Sequence, residues 1–393
     1  MLVSFFYILS LLLLGWLSFG ALYQFTGAFA GLFYKPQAPF LPQATQVLPS
    51  IRVFIPACRE DAVIEQTARK VLASDYPQER LEVLVIADGL RSDTLWRLRA
   101  LPLNVLEVHF EKSTKSKALN AALAHTAGVG CDMAVVLDAD NAPAPDFLKR
   151  AAHRFLLGAR TLQGRRIPKL PMTPMALLDA ASEDANNHIL CRGARALGFS
   201  ARLAGSGMAF EYGLFSTAMS SIDAIGGFDK ALEGTLTSQG VCIEYDEKAI
   251  VFDEKVSQPA TYARQRGRWM AAQFRYGRQF LPMAVVALIR KGQLDFFYKA
   301  LQMALPPRLL APGILAVGAA MGTCLDDPSG PIWALALLVN VAAFGMALPR
   351  WLFQKQYANT WLYLPQVFVA ALLALAKMPQ ASRVFVVTPK TIQ

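Results

Sequence analysis

A chain of 393 residues that is 54% hydrophobic and only 17% charged is too apolar for an ordinary soluble protein and too charged to lie wholly within a membrane. Its formal charge of +10 is not arranged as a basic stripe with interleaved aromatics, so no nucleic-acid partner is expected; a cationic face near anionic lipid, or sites for an anionic substrate, explains the excess. The five cysteines (Cys58, Cys131, Cys191, Cys242 and Cys324) are scattered and form no CxxC pair, which indicates neither a disulfide framework nor a zinc site.

The apolar excess sits at the two ends. Residues 3–33 carry no charge, and "FFYILSLLLLGWLSFGALY" is long enough to cross a bilayer, which takes roughly 20 residues. A signal peptide fits poorly, because there is no basic n-region and the apolar run is too long. Three further apolar stretches, at about 309–324, 331–348 and 361–376, lie near the lower limit for a span. The acidic link "CLDDPSG" suits the outside, and Arg350 and Lys355 suit the cytoplasm. Both put the central region in the cytoplasm, against an inner membrane. Three late spans would leave the basic tail outside, so one of them is expected not to cross.

The central region alternates strand and helix. "IRVFIPA" (51–57) reads as a strand, 61–74 as a helix and "LEVLVIADG" (81–89) as a second strand. "LNVLEVHF" (103–110), the helical "SKALNAALAHTAG" and the apolar "MAVVLDADN" (133–141) follow. This order predicts an α/β fold with a mostly parallel sheet covered on both faces. Ligands of such sheets bind at the carboxyl ends of strands, where this chain places Asp88, Asp138 and Asp140. A turn explains one Asp, whereas two like charges at a strand end call for a cation or water.

The ordered set "VFIPACRED", "VLVIADG", "KSKALNAAL", "VVLDADN", "LQGRR", "GSGMAF", "GGFDKALE" and "QRGRW" resembles the family 2 glycosyltransferases over about residues 50–280. It is most similar to their membrane-integrated branch, which includes cellulose synthase-like, hyaluronan synthase-like and ceramide glucosyltransferase-like enzymes. The resemblance implies a GT-A fold and inverting transfer from a nucleotide-sugar donor, a UDP-sugar by preference, with Mn²⁺ or Mg²⁺. On the matching positions it implies Asp140 as direct metal ligand and Asp138 near the sugar or on the metal. Pro56, Ala57, Glu60, Asp88 and Lys117 would hold the nucleotide, with Lys112 and Lys115 solvated. Gln265, Arg268 and Trp269 form the QxxRW motif, with Arg268 on the diphosphate and Trp269 beneath the acceptor sugar.

The resemblance places the general base in an Glu–Asp pair after the "GGF" turn. This chain has Glu233 followed by Gly234, so Glu233 is the expected base and Asp229 the fallback. Arg165 and Arg166 read as structural, Asp253 and Glu254 as orienting the QxxRW helix, and His188 as a packed or surface residue. The expected organisation is an anchor at 1–34, a cytoplasmic catalytic domain at 48–280, an interfacial amphipathic segment at 281–307, membrane helices at 308–378 and a basic tail at 379–393. Expected partners are the donor, a polysaccharide or cell-envelope glycan acceptor, membrane lipids, and an export or oligomeric partner. The alternatives are a glycolipid-forming transferase and a non-catalytic membrane protein with a degenerate transferase domain. Nucleotidyl transfer would need a Gly-rich basic loop after the first strand, and "PACRED" is not one.

Overall fold

The computed structural model describes residues 2–36, 47–169, 173–255 and 258–381, so the basic tail beyond 381 lies outside the described residues. Its strands are β1 (Ile51–Cys58), β2 (Leu81–Asp88), β3 (Asn104–Val108), β4 (Met133–Val136), β5 (Ala142–Pro143), β6 (Thr161–Pro168), β7 (Met208–Glu211) and β8 (Glu244–Asp253). They form one sheet in the order β3-β2-β1-β4-β7-β6-β8-β5. The pairs β1–β2, β1–β4, β2–β3 and β6–β8 are parallel, while β7 runs antiparallel to both β4 and β6, and β5 to β8. The sheet is therefore mixed, with its parallel part where strand and helix alternate in the sequence.

The helices of the central region are α2 (Ile64–Leu72), α3 (Ser92–Arg99), α4 (Lys115–His125), α5 (Phe147–Leu156), α6 (Pro174–Asn186), α7 (Ala194–Ala196), α8 (Tyr212–Ser220) and α9 (Phe228–Ser238), after α1 (Leu2–Gly31) at the N-terminus. Side chains alternate across each strand, so both faces of the sheet acquire a core. Phe54, Leu84, Ile86 and Val136 pack with Leu119 of α4 and Phe215 of α8. Val53, Ile55, Val83 and Val85 point the other way, onto Ile64, Leu98 and Leu148.

The C-terminal part comprises α10 (Pro259–Lys291), α11 (Leu294–Ala304), α12 (Ala311–Cys324), α13 (Gly330–Ala347) and α14 (Leu364–Ala381). The boundary expected at 280 falls inside α10, which runs unbroken until Gly292 closes it in the left-handed conformation (φ 65°). α11 turns back and buries Phe296, Ala300 and Met303 in the core beneath the sheet. Three stretches, Ser4–Gly31, Gly330–Ala347 and Lys355–Ala376, are long and apolar enough to cross a membrane. α12, with 14 residues, is shorter. α14 does not stand apart: Val367, Ala370 and Ala374 pack on Tyr262, Ala263 and Met270 of α10.

Candidate active site

The carboxyl ends of β1, β2 and β4 open onto one cavity of about 1260 Å³, which also reaches the first half of α10 and the ends of α1, α11 and α12. A single small-ligand pocket measures roughly 300–1,000 Å³, so this space suits two ligands side by side.

Pro56, Ala57, Glu60 and Asp88 line one end. Asp88 is the last residue of β2, in register with Cys58 of β1, and is 7% exposed. Its Oδ2 is buried with no hydrogen-bond partner among the described residues, which leaves an acceptor for a ligand's N–H or O–H. β4 ends at Val136, and the chain then delivers Asp138 and Asp140 to the cavity wall. The Asp138 amide donates to Ser206 Oγ (2.9 Å), and Asp140 is buried, its Oδ1 accepting from the Asn141 amide at 3.2 Å. Lys169 Nζ donates to the Asp140 carbonyl (2.7 Å). Two carboxylates facing a cavity form a hard oxygen donor set, and a divalent cation commonly takes one or two such ligands and completes its shell from phosphate oxygens and water. The residues present fit that role.

The cation beside Asp138 is Lys115, which corrects the expectation that it is solvated. Thr114 caps α4 by accepting the Lys117 amide at its hydroxyl (3.2 Å), so the helix begins at Lys115. The Lys115 ammonium is bonded to the Asp138 carboxylate and to the Gly205 carbonyl (2.7 Å), and lies 5.1 Å over the Phe228 ring. Lys117 is two residues on, about 200° around the helix, and its Nζ reaches the Lys112 carbonyl at 3.5 Å, outside the cavity.

Gln265, Arg268 and Trp269 all line the cavity from α10. Gln265 Oε1 is buried without a partner among the described residues. Burial, and then the charge of Arg264, hold the Arg268 pKa below its ordinary value. Trp269 is 39% exposed and Arg266 stacks on it at 4.7 Å. Arg266 is in turn tied to Asp179 of α6 at 2.5 Å. Asp253 pairs with Arg166 (2.5 Å) and Lys255 (2.9 Å), while Asp179 is the acid that holds Arg266 of α10. His188 is packed, its Nε2 2.8 Å from the Ala28 carbonyl of α1.

Glu233 is not part of the cavity wall. Its side chain is completely buried, with Oε2 accepting the Leu203 amide (2.7 Å) and Oε1 3.0 Å from Lys299 Nζ of α11. Asp229, one turn earlier on α9, does line the cavity. Gly227 sets that turn: its φ is 69°, and a Cβ there would fall 2.4 Å from Ala272 Cβ on α10. Gly234 has its own reason, since a Cβ would lie 2.3 Å from the Phe280 ring. An acid cannot occupy position 234 while Phe280 packs there.

Residues 49–272, over half of the chain, match the family described as "Glycosyltransferase like family 2". The chain belongs to this family. It is 32% identical over 118 residues to the "Probable glycosyltransferase YdaM" of Bacillus subtilis (strain 168), a match covering 28% of this chain and 26% of that protein's length. The chain also resembles the solved mannosyltransferase PcManGT from Pyrobaculum calidifontis, in complex with GDP-Man and Mn²⁺. That match has 20% identity and a TM-score of 0.53, and covers 92% of this chain and 99% of the other. At that identity it shows the shared GT-A-type fold. A glucosyl-3-phosphoglycerate synthase from Mycobacterium tuberculosis, solved with Mn²⁺, UDP and phosphoglyceric acid, matches more distantly (21% identity, TM-score 0.38, 53% of this chain and 72% of the other).

Proposed function

We propose that this glycosyltransferase moves a sugar, with inversion, from a nucleotide-sugar donor (a UDP-sugar by preference) to an acceptor at the cytoplasmic face of an inner membrane. The observation that carries this reading is that Asp88, Asp138 and Asp140 share one cavity with Asp229, Gln265, Arg268 and Trp269. Pro56, Ala57, Glu60 and Asp88 hold the nucleoside, with the buried Asp88 Oδ2 accepting a hydrogen bond from it. Asp138 and Asp140 hold Mn²⁺ or Mg²⁺, which when bound neutralises the charge growing on the departing diphosphate. Arg268 meets the same charge with its guanidinium fork.

Asp229 is the general base in place of Glu233. A new bond forms between the acceptor oxygen and the anomeric carbon, while the bond from that carbon to the diphosphate oxygen breaks. The hydroxyl proton passes to the Asp229 carboxylate and the electron pair leaves with the nucleoside diphosphate. Trp269 and Gln265 orient the acceptor. The continuation of the cavity to α1, α12 and α14 favours a lipid over a polysaccharide acceptor. Loop charges flanking the apolar stretches support the cytoplasmic orientation.

The test is turnover of a panel of UDP- and GDP-sugars by the purified full-length chain, with Mn²⁺, Mg²⁺ or chelator, and with Asp140→Asn as control. Metal-dependent release of nucleoside diphosphate from one donor, lost in the variant, is expected. Donor binding that ignores both chelator and Asp140→Asn would overturn the reading.

A further inference from the structure

Several cations of the cavity have an acid of their own. Arg166 and Lys255 share Asp253, Lys115 has Asp138, and Arg266 has Asp179. Arg202, Lys230 and Arg308 are among those with no acid at ion-pair distance among the described residues. The side chains of Arg202 and Lys230 make no hydrogen bond or ion pair among the described residues, yet both line the cavity. Among the described residues, Arg308 Nη2 reaches the carbonyl (2.9 Å) and hydroxyl (3.4 Å) of Ser182, its Nη1 is buried without an acceptor, and its guanidinium lies 5.5 Å over Phe344 of α13. Burial, then the charges of Arg266 and Arg202, depress the Arg308 pKa; burial does the same to Lys230. Glu183 acts on Arg202, and Asp229 and Glu233 on Lys230, only from a distance; no carboxylate bonds either side chain among the described residues, and buried cations without a bonded counter-ion favour an added anion.

The donor's diphosphate is already provided for by the carboxylate pair and Arg268, so these cations point to a second anion. Their surroundings name its class. Arg308 follows Pro306 and Pro307 at the mouth of α12, and the wall beyond it is Leu309, Leu310 and Ala371 of α14. Gln24 of α1, 4% exposed, also lines the cavity, and its Oε1 has no partner among the described residues, which leaves it to accept from a ligand hydroxyl. Charged groups at the head, apolar walls behind and candidate membrane helices on both sides match a lipid with an anionic headgroup.

We propose that Arg202, Lys230 and Arg308 bind the phosphate of a membrane lipid, and that this lipid is the acceptor, its headgroup hydroxyl being carried to Asp229. The acceptor role rests on the transferase reading above. Lys230 directly follows Asp229, so the anchor and the base come from one turn of α9. The lipid's chains leave past Leu309, Leu310 and Ala371, between α12 and α14.

The test uses the purified full-length chain in a neutral detergent, with dioleoylphosphatidylglycerol, dioleoylglycerol and inorganic phosphate as probes, and retained lipid read by native mass spectrometry. Phosphatidylglycerol is expected to bind about tenfold or more tightly than dioleoylglycerol, the usual worth of one charge-assisted contact. Arg202→Gln and Lys230→Gln are each expected to lose about that factor while nucleotide-sugar binding stays within about twofold. If Arg308→Gln does not fold, these two variants carry the test. Equal retention of the two lipids, or variants that bind like the parent chain, would overturn the proposal. Displacement of phosphatidylglycerol by an equal concentration of inorganic phosphate would mean a free-phosphate site and also overturn it. Absence of donor binding alongside selective lipid binding would instead count against the transferase reading and leave the lipid site supported.

Discussion

Lys299 Nζ stands 3.0 Å from Glu233 Oε1, and neither side chain has any exposure. The pair joins α9 to α11 beneath the cavity, with Gln302 accepting from the same ammonium at 2.8 Å. Breaking one side of a buried pair leaves the other charge uncompensated, at a cost of about 3–5 kcal/mol. Glu233→Gln is therefore expected to lower the thermal unfolding midpoint by several degrees while turnover per folded molecule persists. The double variant Glu233→Gln/Lys299→Met should recover most of the stability. Loss of turnover at unchanged stability would return Glu233 to the role of base.

Asp229→Asn should do the reverse. General-base assistance contributes about 10²–10⁴-fold, so the turnover number is expected to fall by that range. Donor affinity and unfolding midpoint should hold. A loss of less than about tenfold would remove Asp229 from the chemistry.

Lys115 and Lys117 separate the cavity face of α4 from its outer face. Lys115→Met leaves Asp138 without its cation, and donor affinity is expected to change by about tenfold, measured by calorimetry. Lys117→Met should stay within about twofold. The opposite ranking would mean that α4 presents its other face to the donor.

Gly234→Asp tests why the expected acid is absent. The added Cβ falls on the Phe280 ring, and overpacking of this kind costs about 1–3 kcal/mol before the charge is counted. The variant should express poorly or melt early, and Phe280→Ala in the same chain should relieve it. Unchanged stability of the single variant would show that α9 and α10 yield easily.

Glu183 offers a pH signature. Burial opposes its ionisation, but Arg166 and Lys255 outweigh it and bring its pKa from 4.5 to about 2. An acid held lower in the folded state than in the unfolded one adds stability that is full above its unfolded value and is lost as the pH falls through the folded one. The chain should therefore lose stability between about pH 4.5 and 2, followed by thermal unfolding. Glu183→Gln should flatten that slope and reduce stability at neutral pH. A slope identical in the variant would assign the acid sensitivity elsewhere.

Much of the acidic end of the cavity was legible without coordinates. Strand ends are local features: an apolar run of the right length stops at Asp88 or Val136, and the carboxylates that follow must stand at the edge of the sheet. The three aspartates with Pro56, Ala57 and Glu60 meet in one cavity for that reason, and the QxxRW side chains of α10 reach the same cavity. The parallel strands β1 to β4 were equally legible, because each is separated from the next by helix or turn signals. The antiparallel β7 was not, since its direction depends on which strand it finds rather than on its own residues.

The sequence by itself therefore determined the apolar ends, the alternating core and the set of acids at the sheet edge. Only the tertiary structure decided which of several similar groups face the cavity. Asp229 and Glu233 lie on nearly the same side of α9, but one turn carries Glu233 about 6 Å further along the axis, into the core and onto Lys299. Lys115 and Lys117 differ by a helix phase that the Thr114 cap sets. Arg202, Lys230 and Arg308 come from distant parts of the chain, and no local pattern brings them together. Periodicity and strand ends are written in neighbouring residues, whereas the pairing or isolation of a charge depends on what the rest of the fold places beside it.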